Sequence, residues 1–349
     1  MSTSESVRVG NSSNTSQGNT CSPEPEHVSL AVILCLVYLL GLLLNGFSLW
    51  VFTCRIHKWN SGTILQFNLS LSDAIITPLT PLMAVYFAMD NWIFGGFICQ
   101  LKIAVLSVHF SGSVIFLTLI SIHRYMTVVH FRRSSLMKRK TFVKKLCVGI
   151  WCFLIILGII YGCLLPVTTE KTTVTEKRQC LTIHQTTLTD AYFIINFVIF
   201  FFWCILPLTI SVFCYSRLAS SVSRININSV QGQSVKNKSL KMIGICLVIF
   251  GLCFLPLNVV RTIGVVVKKY HPKECMLLLR LQTAYYVCYI LAGINCCLDP
   301  LIYFFGSSNF IKAFRRSLRV IGVKNYVENK IESETLSQTG NKNVIFTVS

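Results

Sequence analysis

The chain has 349 residues, of which 53% are hydrophobic and only 13% charged, with a formal net charge of +19. Soluble domains carry roughly 25% charged residues, so this composition excludes an ordinary soluble protein. The cations sit in clusters between apolar blocks, not on a basic face interleaved with stacking aromatics, which excludes a nucleic-acid binder.

Residues 1–28 are polar and lack an apolar core, so the first apolar block must act as its own insertion signal. This tail carries two glycosylation acceptors, Asn11-Ser-Ser and Asn14-Thr-Ser. Apolar blocks follow at 29–54, 62–88, 97–126, 146–166, 190–217, 240–267 and 280–305. Each is near the ~20 residues that a helix needs to cross hydrocarbon. The predicted fold is an all-α membrane protein, a seven-transmembrane helix bundle over 29–305. Arg55 and Lys58 follow the first block. Arg132, Arg133, Lys138, Arg139, Lys140, Lys144 and Lys145 lie between the third and fourth. Arg217, at the end of the fifth, Arg224, Lys236 and Lys238, and Lys241, at the start of the sixth, surround the next connection. By the positive-inside rule these connections are cytosolic, the N-terminus is outside and the C-terminus inside. Residues 167–189 form an outer, Thr-rich loop. Over 306–320, Phe310, Phe314 and Leu318 recur at helical spacing among Lys312, Arg315, Arg316 and Arg319, which predicts a short amphipathic helix on the inner membrane surface. The tail 321–349 is polar and reads as disordered, with Ser333, Thr335, Ser337 and Thr339 as candidate phosphorylation sites.

Sixteen cysteines are present, most inside blocks, where they read as small hydrophobes. Cys21, Cys99, Cys180 and Cys275 fall at outer positions and can pair in three ways. Each block carries a polar or proline exception. Asn45 is in the first and Asp73 in the second. Ser113 is in the third, which ends on His123-Arg124-Tyr125. Trp151 and Pro166 are in the fourth, Pro207 and Tyr215 in the fifth. The sixth has Phe250, Cys253, Phe254 and Pro256, and the seventh Asn295 and Asp299-Pro300-Leu-Ile-Tyr303. Asp73 and Asp299 are costly at membrane depth unless hydrated, paired or ion-bound. A sodium ion held with Ser113 and Asn295 is one solution; a protonated Asp73, or one bonded to Asn45 and Asn295, is the other. Pro256 and Pro300 are candidate hinges. No catalytic constellation or metal-ligand spacing appears, so an enzyme is not expected.

In this order and spacing the exceptions resemble the rhodopsin-like G-protein-coupled receptors, over roughly residues 29–320. The resemblance implies a plasma-membrane receptor that activates a heterotrimeric G protein through outward movement of span six. It also implies arrestin and receptor kinases as partners of the C-terminal tail. It implies a disulfide between Cys99 and Cys180, and a second between Cys21 and Cys275 as in purinergic and chemokine-like branches. Arg124 resembles the switch arginine that meets the G protein, and Tyr215 and Tyr303 resemble the tyrosines that stabilise the open state. His123 stands where the family usually has an Asp that clamps the arginine at rest, so the clamp is expected elsewhere, across spans three and six. The His-Arg-Tyr form, Phe254 and Asp299 resemble the purinergic branch and its lipid and hydroxy-acid neighbours.

That branch implies an extracellular small anionic ligand: a nucleotide, a carboxylate or an acidic lipid. Arg261 matches its basic position, and Lys102, Arg178, Arg280, Tyr286 and Tyr289 are further candidates. Lys102 and Arg280 read equally well as cations snorkelling at the membrane edge. Asn258, Ile103, Tyr289 and Phe110 depart from the branch's basic positions, which counts against polyphosphates. The alternatives are a constitutively active or silent orphan receptor or scaffold, and a channel or transporter. The last predicts a continuous polar path, whereas here the polar residues cluster at mid-depth and at one end.

Overall fold

Seven apolar blocks of this length can satisfy their main-chain groups in hydrocarbon only as helices packed side by side. The computed structural model has that form, and describes residues 28–89, 91–128, 136–164, 168–171, 176–180, 190–223, 238, 240–242 and 244–320. Asn11, Asn14, Cys21, Pro166 and the predicted tail 321–349 lie outside the described residues.

Span one is Val28–Trp50, continued by a π-helical turn at Val51–Arg55. Span two is broken. Asn60 caps its first half, Ser61–Ala74, by accepting the Thr63 amide at 2.8 Å. A single 3-10 turn at Thr77–Leu79 follows, and a second half runs over Thr80–Met89. Pro78 and Pro81 lack amide donors and prevent the continuous helix predicted over 62–88. Among the described residues six helices are therefore long and apolar enough to cross a membrane individually, and span two is divided into two pieces.

Span three, Gly95–Val128, is the central post, about 50 Å long at the usual helical rise. Of its most apolar stretch 67% is buried in protein, against 22% for spans four and five. Span four, Lys140–Leu164, starts six residues before the predicted 146, because the helix carries exposed Lys144 and Lys145 beyond the apolar stretch. Span five is Asp190–Phe200, a π turn at Phe201–Ile205, and Leu206–Ser223. In span six a π turn at Ile249–Phe254 runs directly into Leu255–Tyr270, so the wide turn immediately precedes Pro256, which has no amide to give to the ladder. Span seven is Cys275–Gly293 and Asn295–Gly306, interrupted at Ile294.

The loop predicted at 167–189 contains an antiparallel hairpin: β1, Thr168–Lys171, pairs with β2, Glu176–Gln179. The Thr-rich composition suits strands. After span seven, Ser307 caps the Phe310 amide and opens the surface helix Ser308–Val320. Phe310 and Phe314 do not serve as a lipid anchor, as the sequence suggests. Phe310 packs on Phe52 at 5.0 Å and Tyr303 at 5.9 Å, and Phe314 on Phe47 at 5.4 Å. Lys312, Arg315 and Arg316 are on the exposed side.

Candidate functional site

The polar residues gather at three depths: one end marked by the disulfide, the bundle middle, and the end carrying Arg124 and the surface helix, called here the basic end.

At the basic end Arg124 lies in the last turns of span three. Its guanidinium donates to the carbonyl of Gly306, the last residue of span seven. A helix C-terminus presents unsatisfied carbonyls and partial negative charge, so it suits a cation. The clamp expected between spans three and six thus runs instead from span three to span seven. His123 takes no part: its ring bonds the Ser61 hydroxyl at 2.8 Å, tying span three to span two. Tyr215 reaches Ser121 at 3.2 Å, and Tyr125 lies edge-on to Phe213 at 6.2 Å. Tyr303 is fully buried on Phe52 at 5.5 Å.

At mid-depth Asp73, Ser113, Asn295 and Asp299 are all buried. Ser113 donates to Asp73 Oδ1 at 2.7 Å. His109, four residues earlier on the same helical face, places Nδ1 3.1 Å from the Ser72 carbonyl and 3.7 Å from Asp73 Oδ1. The carbonyl requires that Nδ1 carry the proton. Asn45 does not bond Asp73; it donates to the Gly41 and Cys296 carbonyls at 3.1 and 2.7 Å and accepts from Ser70 at 3.2 Å. That removes the reading in which Asn45 and Asn295 hold Asp73. Asp73 Oδ2, both carboxylate oxygens of Asp299, both polar side-chain atoms of Asn295 and the Tyr303 hydroxyl are buried and make no hydrogen bond among the described residues. Phe250 and Phe254 pack 6.0 Å apart in the adjoining core. Trp151 donates to Asn68 at 2.8 Å, joining spans four and two.

At the disulfide end Cys99 bonds Cys180. Cys275 is also disulfide-bonded, and Cys21 lies outside the described residues. Lys102 is 2% exposed. Its ammonium sits 4.9 Å from both the Tyr86 and Trp92 rings and donates to the Cys180 carbonyl at 3.2 Å. Trp92 is held in turn by donating to the Gly95 carbonyl at 2.8 Å, a turn that needs glycine because φ is +79°. Lys102 is therefore enclosed beside the Cys99–Cys180 disulfide, neither snorkelling nor open to a ligand. Arg280 is exposed at the start of span seven. Arg178 lies on β2 opposite Thr169. Arg261 is half-buried, donates to Asn258 Oδ1 at 2.9 Å and keeps a buried Nε without a partner among the described residues. Tyr289 is buried edge-on to Phe110 at 5.9 Å, and Tyr286 accepts from Gln282 at 3.0 Å.

The family model of the seven-transmembrane receptors of the rhodopsin type matches residues 44–303. The chain belongs to the rhodopsin family of seven-transmembrane receptors. It is similar to the Y-type purinoceptor 4 of Mus musculus, 31% identical over 82% of this chain and 78% of the relative. It is also similar to lysophosphatidic acid receptor 6 of Gallus gallus, 28% identical over 83% and 94%. The Y-type purinoceptor 1 of Mus musculus is 27% identical over 88% and 82%. The receptor is thus a membrane protein of the purinergic branch and not an enzyme. Sequence reading missed His109 and Gly306 in this receptor. His109 had a signal, its four-residue spacing from Ser113; Gly306 acts through its main chain and had none.

Proposed function

We propose that this is a plasma-membrane receptor for a small extracellular anion that drives nucleotide release from a heterotrimeric G protein. The observation that carries it is Arg261, a guanidinium fixed by Asn258 with an unpartnered Nε in a member of this family. Its relatives are named for purines and for an acidic lipid. Lys102 is enclosed and Arg280 exposed, so among the described candidates Arg261 is the cation suited to an anion within the bundle. One guanidinium matches one acidic group better than a polyphosphate. Half-buried Tyr286 would supply aromatic surface in span seven, and buried Tyr289 would back it from the core. Screening nucleotides, carboxylates and lysophospholipids on wild type and Arg261→Ala tests the assignment. A potent ligand whose response is unchanged by the substitution would refute it.

Activation moves span six outward, with Pro256 following the wide turn at Ile249–Phe254, and opens the basic end around Arg124 to the G protein. Equal nucleotide release by wild type and Arg124→Ala would sink this mechanism. The disulfide end is extracellular and the basic end cytosolic, in keeping with exposed Lys144, Lys145, Lys312, Arg315 and Arg316 at the latter. Arrestin and receptor kinases would meet the tail at 321–349. The mid-depth donors are hard oxygens, which suit sodium. Asp73, Ser113, Asn295 and Asp299 would hold it, and its single charge would offset one of the two carboxylates. A second reading, constitutive activity, is favoured by the missing acid at His123. It expects high nucleotide release from purified receptor without ligand, and membranes lacking the receptor supply the baseline.

A further inference from the structure

Arg124 is a half-buried cation that no carboxylate reaches among the described residues. The side chain before it points away, to Ser61. What holds the guanidinium is the main-chain carbonyl of Gly306, 182 residues later. Gly306 is at a special place. It ends span seven, three residues after Tyr303, and Ser307 follows as cap of the surface helix. It also lacks a side chain where one would press on the ends of three flexible side chains and make them shift. A Cβ there would lie 2.8 Å from the Arg124 Nη2, 2.8 Å from Gln66 Nε2 and 2.9 Å from the Met242 sulfur. Spans two, three, six and seven therefore converge on this one α-carbon.

We infer that Gly306 is the positioning residue that holds Arg124 in the resting receptor, in place of an acid at position 123. The missing side chain admits the guanidinium, and the carbonyl at the helix end receives it. Release then follows from displacement of the end of span seven. The Asp299-Pro300 segment and the docked surface helix thereby control the switch arginine directly. An acid beside Arg124 would ride on span three with it; Gly306 rides on another span, so relative motion of the two breaks the bond.

The test uses full-length receptor in lipid nanodiscs without ligand. Gly306→Ala should raise basal nucleotide release by G protein about tenfold, as expected for losing one hydrogen bond to a charged group. His123→Asp should lower it, and the double variant should return toward wild type, a rescue that mere structural damage at Gly306 would not give. Wild-type release by a well-expressed Gly306→Ala overturns the inference. If Gly306→Ala does not reach the membrane, His123→Asp decides: unchanged or raised basal release overturns it. The inference rests on the receptor reading above, so a second arm needs no G protein. Arg124→Ala should speed amide hydrogen exchange over residues 303–310 several-fold. An unchanged rate there refutes the contact, whereas faster exchange with no nucleotide release by any variant would fault only the receptor reading.

Discussion

Span three carries two cations sunk into the bundle, one near each end, and the receptor treats them in opposite ways. Lys102 is held from several sides by two rings and a carbonyl, all within the cluster around the Cys99–Cys180 disulfide. Arg124 is held by a single carbonyl on a different span. Both arrangements offset a charge without a carboxylate. The first shares the charge among two rings and a carbonyl that a covalent bridge ties to span three itself, so it locks. The second depends on two helices keeping their relative position, so it can open.

Substitutions can break this contrast. The largest effect is expected from Phe310→Ala, which removes a buried ring and should cost roughly 3–5 kcal/mol of local docking energy. Amide exchange over 308–320 should then approach that of a free helix, and basal activity should rise with it. Protection left intact would show that the aromatic contacts with Phe52 and Tyr303 do not hold the helix. Next, Lys102→Ala should destabilise the receptor by about 2–3 kcal/mol, since two cation–π contacts and one hydrogen bond are lost. Thermal unfolding in detergent measures it, and Lys102→Met, which refills the volume, should recover part of the loss. A stabilised Lys102→Met would mean that burial of the charge outweighs its cage. Ser113→Ala strips Asp73 Oδ1 of its donor and should cost about 1–3 kcal/mol. It should also weaken any effect of sodium on basal activity, read by exchanging sodium for a large organic cation. The smallest effect is expected for Ser61→Ala, about 1 kcal/mol in stability with basal activity unchanged, because His123 stands apart from the Arg124 contact. A large rise in activity there would merge the two sites that the structure separates.

The helices were legible in the chain because hydropathy over a membrane's thickness is a local property. Spans one, three and six begin and end near their predicted limits, whereas span five runs on to Ser223, six residues past its predicted end. Span two was read as one block because its prolines interrupt the helix without interrupting the apolar run. Span four began early because lysines outside the membrane stay helical. The residues of the three polar clusters were also visible, since each is an exception within its block. Their partners were not. Lys102 looked like a ligand contact until the fold set Tyr86 and Trp92 around it. Phe310 and Phe314 looked lipid-bound until spans one and seven supplied rings of their own. Arg124 was found at once, but its partner is a peptide oxygen with no residue type to betray it.

The shallow burial of span four has a consequence for how this protein can change over generations. Leu154 is fully buried, while its neighbours Ile155 and Ile156 are 53% and 57% exposed toward hydrocarbon. On the hydrocarbon side any aliphatic residue is solvated equally well, so Ile155, Ile156 and Ile159 are free to drift among Val, Leu and Phe. Leu154 has no such freedom, since its shape is read by neighbours and not by a liquid. Within one helix, inheritance is therefore strict on a narrow strip and permissive everywhere else.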